Sequence, residues 1–274
     1  MRAALGRWQA AWVVAARITR LNFRARLEYR GDFVMALFVG IAWQSSVLVF
    51  AGVLLARFPG LGGWTQGGVL LIASMRLLSH GIYVATFGNV WLMPALVRQG
   101  LIDGYLLRPL PVYRQVLLAE FPMNALGDTS AAFLLFGLAL AKLNLAWTPA
   151  RAGYLAVGVL GGVLVEAAIQ TVVSATAFRF TVGFIWYLWV DTLIGTFGNY
   201  PLKVLPVAAR SILTFVLPIA FIAYLPAAVI TGRVAGTGVP AWLALMSPCA
   251  GVVLFVLARL LWNWALSRYE ALGG

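Results

Sequence analysis

Acidic residues are scarce in this chain. Its 274 residues include eight Asp and Glu against twenty Lys and Arg, and charged residues of both signs make up only 10% of it. An ordinary soluble domain carries about 25%, so a soluble globular fold is excluded, and the 62% of hydrophobic residues point to a membrane. Cysteine occurs once, as Cys249, which excludes an internal disulfide. Histidine also occurs once, as His80, which leaves no cluster for a Cys/His metal site. Cys249 is expected to be a small buried residue. The phosphate-loop pattern G-x-x-x-x-G-K-[ST] is missing; "GLGGWTQGG", residues 60–68, is Gly-rich but has no lysine. Period-two alternation is missing too, which argues against a barrel. The net charge is +12, yet the basic residues flank apolar runs and form no extended patch with stacking aromatics, so nucleic acid is not an expected partner.

What the chain does have is long apolar runs, at about 33–56, 67–92, 117–141, 152–177, 181–198 and 242–266. Roughly 20 mostly apolar residues cross a hydrocarbon core about 30 Å thick, so an all-α membrane protein is expected. With no linker, low-complexity segment or long-period repeat, residues 1–274 read as a single domain. The first apolar run starts only at Phe33, too late for a secretory signal peptide, so the N-terminus is expected to be retained. Residues 1–32 carry seven arginines. At 100° per residue Leu5, Trp8, Trp12 and Phe23 share one face and Arg2, Arg17, Arg20 and Arg24 another, which predicts a helix in the headgroup layer over about 1–30. Arg26 and Arg30 break the pattern, so the helix should end or turn near residue 26.

Residues 199–231 admit two readings. If 212–230 spans the bilayer there are seven helices and the termini lie on opposite sides; if it dips in and returns there are six, with both termini cytoplasmic. Loop Lys and Arg number twelve inside and six outside in either case, so the positive-inside rule fixes the side of the N-terminus without choosing. Pro201, Pro206, Pro218 and Pro226 favour the re-entrant hairpin, because each interior proline removes a helical hydrogen bond. In the fourth run Gly158, Gly161 and Gly162 suit close helix packing, within the chain rather than across a dimer seam.

Between the second and third runs, "VRQGLIDGYLLRPLPVYRQ", residues 97–115, is polar and stiffened by proline. A connection of about 20 residues exceeds the usual 2–8 between helices. Pro94 can start a short helix, Gly100 and Gly104 loosen or end it, and Pro109 and Pro111 hold Arg108 and Leu110 extended. A short helix plus a stiff strut is expected across the cytoplasmic face.

This stretch resembles the segment after the second span in permeases of bacterial type-2 ABC exporters, the branch reading Gly, acidic residue, Leu-Leu-Arg-Pro-Leu. "NYPLKVLPVAARSILTFVLPIAFIAYLPA", residues 199–227, is similar to the same branch's Tyr-Pro signature before the last span. The resemblance implies a bacterial plasma-membrane permease that pairs with a second copy or a homologous permease and is driven by separate ATPase subunits. ATP and magnesium would sit on those subunits, with no cofactor in this chain. It further implies that 94–115 is the element coupled to the ATPase, with Gly100, Asp103, Leu107, Arg108, Pro109 and Pro111, and that 199–231 is an outer gate shaped by Tyr200, Pro201, Pro206, Pro218 and Pro226. Members of the wider superfamily often carry Asn-Pro in the re-entrant turn; here the pair is Leu217-Pro218.

Six ionisable residues fall inside apolar runs: Arg76, His80, Glu120, Asp128, Glu166 and Asp191. Charges at membrane depth are functional candidates by default, and Arg76, His80, Asp128, Glu166 and Asp191 are the candidates for a translocation path. They can equally be structural pairs, for instance Arg76 with Glu166 or Asp128. The expected function is export of an amphipathic or hydrophobic substrate, a lipid, drug or natural product. A proton-coupled secondary transporter using Asp128, Glu166 and His80 as relays is the alternative, weakened by the lack of an inverted repeat. A lipid-modifying enzyme would need a catalytic constellation, and every carboxylate stands alone in its run.

Overall fold

The computed structural model describes residues 2–57, 60–143, 145–180 and 183–270. Helix α1 (Arg2–Glu28) is followed after one residue by α2 (Arg30–Arg57). The side chains before residue 13, on which the two expected faces of α1 partly rest, lie outside the described residues. A short antiparallel hairpin, β1 (Gly60–Leu61) with β2 (Trp64–Thr65), leads into α3 (Gln66–Thr86). Three short helices follow: α4 (Met93–Arg98), α5 (Leu101–Leu106) and α6 (Val112–Leu117). The bundle continues with α7 (Asn124–Lys142), α8 (Pro149–Ala175) and α9 (Gly183–Phe197). It ends with α10 (Val207–Ser211), α11 (Tyr224–Ile230), α12 (Ala241–Leu245) and α13 (Ser247–Leu266).

Among the described residues four helical segments are long and apolar enough to cross a bilayer: Gln66–Thr86, Asn124–Lys142, Pro149–Phe178 and Ser247–Leu266. A fifth arises if Val207–Val216 and Ile219–Ile230, bent by 75°, count as one. The first run forms α2, 28 residues long. The run at 181–198 forms α9 with 15 residues, about 22 Å at 1.5 Å per residue and shorter than a hydrocarbon core. Two runs are also shorter as helices than expected. The second stops at Thr86 and continues as a 3₁₀ turn, Gly88–Leu92, and the third becomes a spanning helix only at Asn124. The intervening backbone is held instead by Asn89, whose amide donates to the carbonyls of Leu117 (2.9 Å) and Glu120 (2.7 Å), and Pro122 keeps 118–123 from joining α7.

Helix α8 lies at the centre, packed against α13, α3 and α9, while α3 packs on α7 and α7 on α2. The closest crossing, α8 with α13, depends on Gly161 and Gly251. A Cβ on Gly161 would stand 2.6 Å from the Pro248 Cα, and one on Gly251 would strike the Gly161 carbonyl. The glycines of the fourth run are thus filled from within the chain, Gly162 by the Ile222 carbonyl and the Ser79 hydroxyl, Gly158 by Pro226 and Met75. Cys249, expected to be buried, is exposed instead. It lies near the start of α13, where glycine rather than cysteine supplies the small residue of the α8 seam.

The prolines of 199–231 each open a helical piece. Pro201 precedes the turn Leu202–Val204, Pro206 caps α10, Pro218 precedes the turn Ile219–Phe221, and Pro226 sits in the first turn of α11, where a missing N–H is tolerated. The limb before the bend is largely exposed, with Phe215 and Val216 outward, whereas Ile219 to Ala228 is buried against α8, α3 and α13. Both ends of the bent segment meet the β1–β2 hairpin. Val204 faces Gly62, whose Cβ would stand 3.1 Å from the valine side chain, and the Arg233 guanidinium donates to the Gly63 carbonyl.

Candidate functional site

Three helices each aim a polar pair, one turn apart, at a common point inside the bundle. Arg76 and His80 project from α3, Glu166 and Gln170 from α8, and Tyr187 and Asp191 from α9; the i, i+4 spacing keeps each pair on one helix face. His80 Nδ1 lies 2.6 Å from Glu166 Oε1, with Glu166 fully buried and His80 nearly so. The Gln170 amide donates to Asp191 Oδ1 at 3.0 Å, and the hydroxyls of Tyr83 and Tyr187 meet at 3.1 Å. Donor atoms of His80, Glu166 and Asp191 all fall within 4.8 Å of one another. An imidazole and two carboxylates are a set that a divalent cation can use, but here the nearest two are bonded to each other. Among the described residues Glu166 Oε2, Gln170 Oε1 and Arg76 Nε have no hydrogen-bond partner, so the cluster retains unused polar capacity.

Of the path candidates, His80, Glu166 and Asp191 are therefore brought together. Arg76 lies one turn along α3, beside Gly195 and Gly198 of α9, and Asp128 is buried elsewhere, where α7 crosses α2 near Gly40. The pairing of Arg76 with Glu166, one of the structural alternatives, is not formed among the described residues, where Glu166 meets His80 through Oε1. Tyr83, Gln170 and Tyr187 were not singled out from sequence. Their signal was the one-turn spacing from residues that were.

Beside the cluster is a cavity of about 390 Å³ reaching from Asp191, His80 and Tyr187 past Trp91 to Arg26 and Glu120. A second of similar volume adjoins it, sharing Arg26, Glu120 and Phe121 and extending to Tyr29 and Asp32 beneath the α1–α2 junction. Arg26 and Glu120 form an ion pair of 2.6 Å between the two. Asn22 donating to the Leu118 carbonyl at 2.8 Å and the Phe23–Phe121 ring contact at 5.0 Å bind the end of α1 to this wall.

The loop 94–115 runs through three short helices, α4, α5 and the start of α6, with a proline-held turn before α6, rather than one helix and a strut. Gly100 takes a left-handed φ of 69° that breaks α4 from α5, and Gly104 lies within α5. Helix α6 is tied to the bundle: the Tyr113 hydroxyl meets Thr171 Oγ1 at 2.9 Å, its ring stands against buried Trp262 at 5.0 Å, and the Arg259 guanidinium stacks on it at 3.4 Å. Burial pushes the Tyr113 phenol above its ordinary pKa, with the Thr171 bond and Arg259 pulling back. Gln115 bonds the carbonyls of Tyr105 and Leu110 and closes the turn. The tip projects: Leu107 is 89% exposed, and Arg108, Pro109 and Pro111 are exposed beside it, with Arg108 over the Tyr105 ring at 5.2 Å. Asp103 is half-buried. Of the gate candidates, Pro201 and Pro226 are buried, Tyr200 and Pro218 half-buried and Pro206 exposed.

No curated protein and no solved structure shows a significant match to this chain. A family model described as ABC-2 family transporter protein matches residues 41–273, from within α2 through the bent segment and α13. With that match over most of its length and apolar helices of spanning length, this multi-pass membrane protein belongs to the ABC-2 transporter family, as a non-catalytic permease.

Proposed function

We propose that the chain is the membrane subunit of an ATP-driven exporter in the bacterial plasma membrane, moving an amphipathic or hydrophobic substrate outward from the cytoplasm or inner leaflet. Family membership implies an ABC ATPase partner and a dimeric arrangement. ATP and magnesium belong to that ATPase. The observation that carries the reading is the exposed Leu107–Arg108 tip on a base held by Tyr113, Gln115 and Trp262. An exposed leucine next to an arginine, on a short rigid support joining two spans, suits docking to a motor and passing on its movement.

In this reading residues 94–115 are cytoplasmic, six segments cross, both termini are cytoplasmic and 199–231 is a re-entrant outer gate. Contact of both Val204 and Arg233 with one hairpin supports the last point, since a segment that enters and leaves at the same loop has not crossed. Arg108→Glu should abolish co-purification of the ATPase while leaving thermal stability of the permease unchanged; normal co-purification and export by that variant would falsify the coupling role. A second reading, proton-coupled transport, draws on the His80–Glu166–Asp191 cluster. Cargo movement in vesicles that contain the permease and no nucleotide-hydrolysing subunit would establish it in place of the first.

A further inference from the structure

We infer that the two adjoining cavities form a binding route for an amphipathic organic monocation, with the Asp191 carboxylate as its anchor. The argument begins with the distribution of negative charge. Four of the chain's eight acidic residues, Asp32, Glu120, Glu166 and Asp191, line these cavities or stand directly behind their wall, in a protein whose net charge is +12. Two of the four have ionic partners at hand, Glu120 with Arg26 and Glu166 with His80, each at 2.6 Å.

Asp191 accepts a hydrogen bond from the neutral Gln170 amide, and its cationic neighbours, His80 and Arg76, act on it through space without an ion pair within 4 Å among the described residues. Asp32 likewise lines the outer cavity without such a partner among the described residues. Each cavity therefore presents one carboxylate that has no direct ion pair among the described residues. That pattern matches a single positive charge passing inward.

The rest of the wall suits an organic cation. Trp91, Phe121, Tyr83 and Tyr187 supply aromatic surface, and Tyr29 does so in the outer cavity; ring faces attract ammonium-type charge most strongly where water is excluded. About 390 Å³ falls in the range, roughly 300–1,000 Å³, of pockets that enclose drug-sized ligands. A bare divalent ion fits less well, because His80 Nδ1 and Glu166 Oε1 already touch and leave no room for a metal between them. An anionic headgroup would meet Asp191 and Glu120 rather than a free cation. The Arg26–Glu120 pair, partly exposed on both sides, divides the outer cavity from the inner one, so a cation approaching from the headgroup layer can displace Arg26 from Glu120 on its way in.

Calling this ligand cargo rests on the exporter reading; the binding itself does not. The test uses the full chain in nanodiscs, with no ATPase and no nucleotide. Rhodamine 6G, an amphipathic monocation, is titrated by fluorescence anisotropy beside the anion 8-anilinonaphthalene-1-sulfonate. Rhodamine 6G should bind, and Asp191→Asn should weaken it about tenfold or more, while Asp191→Glu retains binding and the remote Glu270→Gln leaves it unchanged. Should Asp191→Asn prove unstable, Trp91→Ala tests the same wall and should weaken rhodamine 6G several-fold. Equal affinity of parent and Asp191→Asn, unaltered binding in Trp91→Ala, or preference for the anion overturns the inference. Failure of the exporter reading would instead appear as loss of ATPase co-purification with this binding intact.

Discussion

A fully buried carboxylate survives in a bilayer only when its neighbours replace water, and Glu166 does so with the one histidine of the chain. Removing that histidine leaves a buried charge without its partner. His80→Ala should destabilise the protein by about 3–5 kcal/mol, read as a fall in the thermal unfolding midpoint of the purified protein, and His80→Ala with Glu166→Gln should recover a large part of the loss. If the single variant unfolds like the parent, the contact contributes little. Sequence named both residues as path candidates, yet they stand 86 positions apart, and no local periodicity links two helices that meet only in the packed bundle. The choice of His80 over Arg76 as partner depends on how far each side chain reaches across the α3–α8 contact. Cys249 illustrates the same limit: residue type suggests burial, but the glycine-lined side of α13 had already taken the seam.

Among elements, α8 and α13 make the most extensive contact, and their separation is set by atoms that are missing. With Gly161 against Pro248 and Gly251 against Gly161, a larger side chain must push two helices apart, a cost of about 1–3 kcal/mol or more. Gly161→Leu should lower the unfolding midpoint and broaden the size-exclusion profile, whereas Gly153→Ala, in open space on the same helix, should change neither. The proline-rich segment is governed by another rule: Pro201, Pro206 and Pro218 each precede a piece of helix and Pro226 lies in the first turn of one, so local sequence dictated where the segment breaks. The 75° bend at Leu217–Pro218 and the burial of the second limb come from packing against α8 and α3. In the loop 94–115 Gly100 and Pro111 were readable as breaks. The Gln115 side chain that closes the turn at Pro111, and the Asn89 side chain that holds the backbone after α6, bond carbonyls five to 31 residues away, and their partners were not readable.

For the whole molecule, topology is the decisive property. With Cys249 first replaced by serine, a cysteine at Arg233 should react with a membrane-impermeant maleimide added outside intact cells, and one at Leu107 only after the cytoplasmic face is opened. Labelling of position 233 from the cytoplasmic side alone would establish seven crossings. The contact of Arg233 with the hairpin before α3 makes the first outcome the expected one. A basic excess in loops predicts which face the N-terminus takes, but moving Arg233 and Arg268 between faces leaves that count unchanged. Contact between distant loops carries information that the count lacks.

Hydrophobic run length, the scarcity of charge and the spacing of proline and glycine determined by themselves that this chain is a helical membrane protein, where its proline-rich segment breaks, and which loop stands between two of its helices. Those properties follow from the local chemistry of backbone and bilayer, which each short stretch obeys independently. Tertiary structure alone decided that His80, Glu166 and Asp191 meet, that Arg26 and Glu120 separate two cavities, and that both ends of the bent segment return to one hairpin. Such pairings depend on helix crossings set by the packing of every neighbour at once, so no stretch of the sequence carries them alone.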